Sequence, residues 1–123
     1  MEVSIVLVNF VLVGFGAALG AMLRYGISVL VKSKWKTNFP FATFFINITG
    51  SFLLGFLVSS ALGPVWQLFL GTGFMGGYTT FSTFKVESME LKWKTNYRVL
   101  FSYLGCTYVF GLIAAFLGLM LGV

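Results

Sequence analysis

The sequence predicts an all-α membrane protein with four transmembrane helices in one domain spanning residues 1–123. Three observations carry that prediction. Apolar residues make up 59% of the chain and charged residues 9%, with a mean hydropathy of +0.97. Ordinary soluble domains carry about 25% charge, and eight basic and three acidic side chains cannot coat a particle of 13.5 kDa. The charge-free stretches are long: residues 3–23, an unbroken 48 residues over 37–84, and 99–123. A bilayer core of about 30 Å takes roughly 20 helical residues, so these windows supply one, two and one crossings. Finally, the windows are continuously apolar rather than alternating, which argues against outer-membrane strands.

The predicted helices run over about 3–31, 40–61, 65–91 and 96–121. Span 1 is not expected to be a signal peptide, because Glu2 stands where a basic n-region belongs and no convincing cleavage site precedes Arg24. Gly16 and Gly20 have the spacing that lets membrane helices approach closely. Arg24 has two readings: its guanidinium snorkels to the headgroup zone, or it forms a fixed positive charge at the entrance of an anion path. Span 2 carries Asn47 in mid-membrane, beside Thr43, Gly50, Ser51 and Gly55. An intramembrane polar group is costly unless paired. The Asn47 amide therefore either bridges helices or lines a pore as a donor to a dehydrated anion.

The Gly63-Pro64 turn separates spans 2 and 3. In span 3, Gly71-Thr-Gly73-Phe-Met-Gly76-Gly77-Tyr78-Thr79-Thr80-Phe81-Ser82-Thr83-Phe84 interleaves four glycines with hydroxyls. Such a run is poor material for a continuous helix, and a broken membrane helix frees carbonyls that can hold a cation. Phe81 and Phe84 lie three apart on one helical face, and aromatic edges carry partial positive charge suited to a small anion. In span 4, Ser102, Tyr103, Thr107 and Tyr108 add hydroxyls, with Tyr103, Thr107 and Gly111 on one face. Ala114, Gly118 and Gly122 form a second small-residue stripe.

Lys32, Lys34 and Lys36 fall between spans 1 and 2, and Lys92, Lys94 and Arg98 between spans 3 and 4. The other side of a four-span chain bears no Lys or Arg, so the positive-inside rule puts the lysine loops in the cytoplasm and both termini outside. Ordinary topogenesis accounts for these cations; attraction to anionic lipid is the second reading. No His is present and Cys106 is the single Cys, which excludes an intrachain disulfide, a His/Cys zinc site and a Cys–His dyad. No acidic residue occurs from Val3 to Thr83, whereas coupled transporters usually need a buried carboxylate or His. Donors, aromatic edges and cationic entrances suit an anion moved passively.

These motifs resemble the Fluc (CrcB) fluoride channels over essentially the whole chain. The matching strings are Gly20-Ala-Met-Leu-Arg24-Tyr25, Thr43-Phe-Phe-Ile-Asn47-Ile-Thr-Gly50-Ser51-Phe-Leu-Leu-Gly55, and the highly specific Gly76-Gly77-Tyr-Thr79-Thr80-Phe81-Ser82-Thr83-Phe84 with Glu87 after it. The resemblance implies a passive fluoride channel of the cell membrane, not an enzyme, that exports cytoplasmic fluoride. It implies a fluoride pore lined by Thr43, Asn47, Phe81, Ser82, Thr83, Phe84, Tyr103 and Thr107. A structural sodium ion on backbone carbonyls matching Gly76 and Thr79, and an antiparallel dimer whose two pores draw on both subunits, come with it.

Two departures stand out. Lys85 occupies a position where the family string usually continues with Ser. The loop cations are all on one side, whereas an antiparallel homodimer calls for nearly balanced loops; this chain is expected to insert mainly one way, with a paired homologue or a second copy as partner. A small multidrug-resistance-type cation/proton antiporter is the rival transporter, but it needs a carboxylate in span 1, which has none over 3–23. A non-transporting membrane assembly protein is the other alternative, and it has no need of Asn47 with Phe81 and Phe84.

Overall fold

A computed structural model describes residues 2–37 and 39–123; Met1, Asn38 and the side chain of Phe81 lie outside the described part. The described residues form helices and no strand. Helix α1 (Glu2–Lys34) has 33 residues. At 1.5 Å each it is about 50 Å long, well beyond a hydrocarbon core of about 30 Å. It runs three residues past the predicted end. Lys32 and Lys34 in its last turn complement the negative end of the helix dipole, and the Ser33 hydroxyl donates to the Leu30 carbonyl at 2.7 Å.

Helix α2 (Phe41–Ser59) stops two residues earlier than expected. The Ser59 and Ser60 hydroxyls bond back to the carbonyls of Gly55 (3.0 Å) and Phe56 (2.6 Å), four residues earlier, so both are satisfied within the helix's own last turns. After the turn come α3 (Pro64–Trp66), a π-helical stretch π1 (Gln67–Met75) and α4 (Gly76–Tyr78). Pro64 sits in the first turn, where its missing N–H costs nothing. The Gln67 side-chain amide donates across the hairpin to the Leu57 carbonyl at 2.7 Å. The chain is non-helical at Thr79 and Thr80 and resumes as α5 (Phe81–Trp93). The predicted interruption of the third span therefore falls at Thr79–Thr80, while the π-helical widening before it was not expected.

Thr95 takes the left-handed backbone (φ 53°) at the end of α5. The Thr95 and Asn96 N–H groups close the helix on the carbonyls of Lys92 and Leu91, both at 3.0 Å. Helix α6 (Tyr97–Gly122) then completes the chain. Among the described residues, α1, α2 and α6 are the helices long and apolar enough to cross a membrane uninterrupted.

Two helix pairs organise the molecule, and both meet backbone to backbone. Where α1 crosses π1 and α4, a methyl group at Gly20 would strike the Phe74 carbonyl, and one at Gly77 the Ala17 carbonyl. Where α2 crosses α6, a methyl group at Gly118 would strike the Phe52 carbonyl. The predicted small-residue stripes of α1 and α6 are thus the seams of these crossings. Between the pairs sit two buried clusters: Ile46, Met75 and Tyr78, and Phe84, Leu91, Leu100 and Tyr103. Most other large apolar side chains face outward, with Phe10 77% exposed, as hydrocarbon solvent permits and water does not. Lys32 and Lys36 share a cavity with Glu87 of α5, so the two basic connections lie at one end of the molecule.

These crossings make a prediction with a sign in it. Gly→Ala in an open helical position stabilises by up to about 1 kcal/mol, so Gly14→Ala, with nothing within 4 Å of the new methyl, should leave melting in detergent unchanged or raised. Gly77→Ala and Gly118→Ala should lower it, because overpacking costs about 1–3 kcal/mol. Equal melting temperatures for all three would refute the backbone contacts.

Candidate functional site

In a continuous helix the Thr80 N–H would donate to the carbonyl of Gly76, four residues back. Here it donates to Asn47 Oδ1 at 3.0 Å, and Asn47 Nδ2 donates to the Thr80 carbonyl, also at 3.0 Å. One side chain of α2 therefore serves both backbone groups of the residue at the break. Thr80 is extended (φ −147°, ψ 120°), and its hydroxyl caps α5 by accepting from the Thr83 N–H at 3.2 Å. On the other side of the break, the Thr79 hydroxyl donates back to the Met75 carbonyl at 2.8 Å. Gly50, one turn after Asn47, has no Cβ where Thr79 Cγ2 comes closest to α2.

Asn47, Ser51, Thr79, Thr80, Phe84 and Thr107 all line one cavity of about 260 Å³, together with Tyr108. The Asn47 amide carries two N–H donors, and Thr80 accepts from one of them. Among the described residues, Thr107 Oγ1 is the buried side-chain polar atom without a hydrogen-bond partner. Phe84 is buried between two tyrosines: its ring centroid is 5.0 Å from that of Tyr103 and 5.9 Å from that of Tyr108, the latter edge-on at 86°. The cavity thus holds an unpaired hydroxyl, a partly used amide and an aromatic wall, and no carboxylate.

A second polar group lies on the far side of Phe84. Tyr103, fully buried, donates to Glu87 Oε1 at 3.4 Å. Thr43, also buried, neighbours both Glu87 and Tyr103. The structure therefore brings together Asn47, Phe84 and Thr107 in one cavity, and Thr43 and Tyr103 in the adjoining cluster. Ser82 and Thr83 are exposed on the single chain, although the Ser82 and Thr80 hydroxyls lie 3.4 Å apart. Arg24 is half-buried on α1 and lines neither the cavity nor the cluster. Gly76 and Thr79 line a separate depression of about 410 Å³ that opens to the surface beside Gln67. The Phe81 side chain lies outside the described residues.

Glu87 stands in the sequence only as the residue after the third matching string. Its position was readable: Phe84, Glu87 and Leu91 follow i, i+3, i+7 spacing, and Phe84 and Leu91 are buried. Tyr108 was noted only as a hydroxyl, and its ring is what it brings to Phe84.

Residues 11–119 match the family described as "CrcB-like protein, Camphor Resistance (CrcB)". The chain belongs to the CrcB family. The CrcB chain is 97% identical over 117 residues to "Fluoride-specific ion channel FluC 1" of Listeria monocytogenes serovar 1/2a, covering 95% of this chain and 99% of that one. It is 53% identical over 111 residues to "Fluoride-specific ion channel FluC 2" of Bacillus cereus, covering 90% and 94%. "Fluoride-specific ion channel FluC 1" of Lactiplantibacillus plantarum is 48% identical over 110 residues, covering 89% and 95%.

The double hydrogen bond of Asn47 in this CrcB chain has a measurable consequence. Asn47→Leu leaves the Thr80 N–H and carbonyl unpaired, at about 1–3 kcal/mol for each buried group. The protein should melt lower in detergent, and the Thr80 amide should exchange its hydrogen faster. Asn47→Asp keeps the acceptor and should keep the Thr80 amide protected. Fast exchange in the Asp variant alone would contradict the assignment.

Proposed function

We propose that the chain is a subunit of a fluoride-selective passive ion channel, a multi-pass protein of the cell membrane that lowers cytoplasmic fluoride. The observation that carries this reading is the 260 Å³ cavity at the helix break. A small, strongly hydrated anion gives up its water only where donors replace it. The second N–H of Asn47, the unpartnered Thr107 hydroxyl and the ring of Phe84 offer positive ends and no competing negative charge. The names carried by relatives up to 97% identical agree with that chemistry. The Thr43 hydroxyl lies beyond Phe84, where the Tyr103 hydroxyl is committed to Glu87, and Ser82 and Thr83 extend the donor set along α5. Arg24 is a cation toward the lysine-bearing end of α1. Nothing in this arrangement asks for ATP or a coupled proton: the ion moves down its electrochemical gradient.

The chain crosses the membrane four times in this reading, with the broken run from α3 through α5 as the third crossing. It works beside a second subunit inserted in the opposite sense, and the pores lie where the two meet. The Thr80 N–H is committed to Asn47, which leaves the exposed Gly76 carbonyl without its helical donor. The carbonyls of Gly76 and Thr79 fit a sodium ion, which would supply positive charge and lock the breaks of the two subunits together. Every loop cation lies at one end of this chain, which favours a single orientation and a paired homologue over a second copy.

Liposomes holding the purified protein, with and without a paired homologue, should release fluoride but not chloride to an ion-selective electrode; no release in either preparation overturns the reading. Phe84→Ile and Thr107→Val should slow fluoride release by roughly threefold to tenfold each, the worth of about 0.5–1.5 kcal/mol, with assembly on gel filtration unchanged. Loss of assembly would assign these side chains to packing.

Orientation has its own measurement. In a Cys106→Ser background, Gly63→Cys should react with a membrane-impermeant thiol reagent added to intact cells, and Lys34→Cys should react only after permeabilisation. Equal labelling of both positions would exclude a single orientation.

A further inference from the structure

Ile27 of α1 packs against the Ile46, Met75 and Tyr78 cluster. Toward the lysine end, α1 and α2 part and leave a groove of about 550 Å³, within the size of small-molecule sites. Leu30, Val31 and Trp35 line one wall, and Phe41, Phe44 and Phe45 the other. The two walls have helical spacing, so this is a continuous apolar trough along the helices and not a scatter of exposed side chains. At its loop end the groove shares Val31, Trp35 and Phe41 with a second cavity of about 270 Å³, which adds Lys32, Lys36, Thr37 and Glu87. An apolar trough opening onto a cationic chamber has the shape of an amphiphile.

We propose that the paired cavities bind an anionic phospholipid of the phosphatidylglycerol type, one acyl chain in the groove and the phosphate between Lys32 and Lys36. Two ammonium groups and one carboxylate line the chamber, so its net charge is balanced by one phosphodiester. The Glu87 carboxylate and Thr37 hydroxyl offer acceptors to the neutral glycerol headgroup. Trp35, 58% exposed at the rim, belongs at the depth of the glycerol backbone, where amphipathic rings concentrate. Topogenesis needs lysines on this side of the membrane, but it does not need an apolar groove beneath two of them. Glu87 also accepts from Tyr103, so the headgroup chamber adjoins the proposed pore, but the test reads no flux and its outcome is independent of fluoride conduction.

The experiment uses the full chain with Trp66→Phe and Trp93→Phe, so that Trp35 is the single tryptophan, reconstituted in phosphatidylcholine vesicles. Lipids brominated on the acyl chain quench tryptophan on contact. Brominated phosphatidylglycerol should quench Trp35 more than brominated phosphatidylcholine at equal mole fraction, with a relative constant on the order of fivefold for one effective lysine contact. High salt should shrink that preference. Lys32→Gln with Lys36→Gln should abolish it, whereas Lys92→Gln with Lys94→Gln, on the neighbouring connection, should retain it. Equal quenching by the two lipids in the parent protein overturns the site without recourse to any lysine variant. So does stronger quenching by phosphatidylethanolamine, whose ammonium would suit Glu87, or a preference lost equally in both lysine pairs.

Discussion

Hydrocarbon offers a backbone no hydrogen-bond partner, so any interruption of a membrane helix has to be satisfied by protein. In this chain that condition falls on Thr80, and Asn47 meets it. A carboxamide presents a donor and an acceptor in the same plane, much as a peptide group does, and here it replaces one strand of helical bonding with two 3.0 Å bonds from another helix. The direction of α5, the cap that Thr80 provides for it and the place of Phe84 against Tyr103 and Tyr108 all follow from where this interruption is held. The same bonds fix the amide of Asn47, so its remaining N–H points from a rigid base.

A donor is useful to an ion only if its support does not move, and the glycine seams supply that support. They draw α1 onto π1 and α4, and α6 onto α2, until carbonyls touch the opposing backbone. A hydroxyl pair between Thr49 and Tyr78, 2.8 Å apart, ties α2 to α4 just before the break. The element carrying the break is thereby clamped on one side by α1 and on the other by α2. Small residues are the means: without a hydrophobic force between helices in lipid, close van der Waals contact has to do the work.

Much of this was legible in the sequence, for identifiable reasons. Long charge-free windows locate α1, α2 and α6 because hydrocarbon thickness sets a length. The Gly and Thr run locates the break because those residues weaken a helix one by one. Asn47 could be placed at membrane depth, but its two readings could not be separated, since its partner lies 33 residues away along the chain. In the fold it bridges helices and lines the cavity at once. The π-helical stretch Gln67–Met75 had no local signature. The surroundings of Glu87 were not legible from its own helix, because its hydrogen-bond partner Tyr103 belongs to α6.

The single chain leaves a polar strip uncovered. Thr72, Gly76, Ser82, Thr83 and Lys85 are all exposed along the broken third run. A lysine facing lipid at the helix centre costs about 3 kcal/mol on insertion scales, and each unmet hydroxyl or carbonyl adds to that. Such a strip is stable against water or protein and unstable against acyl chains. In the reading proposed above, a second subunit would cover these hydroxyls and the Gly76 carbonyl. The proposed partner thus answers a need of the chain's own exposed polar residues, Lys85 among them.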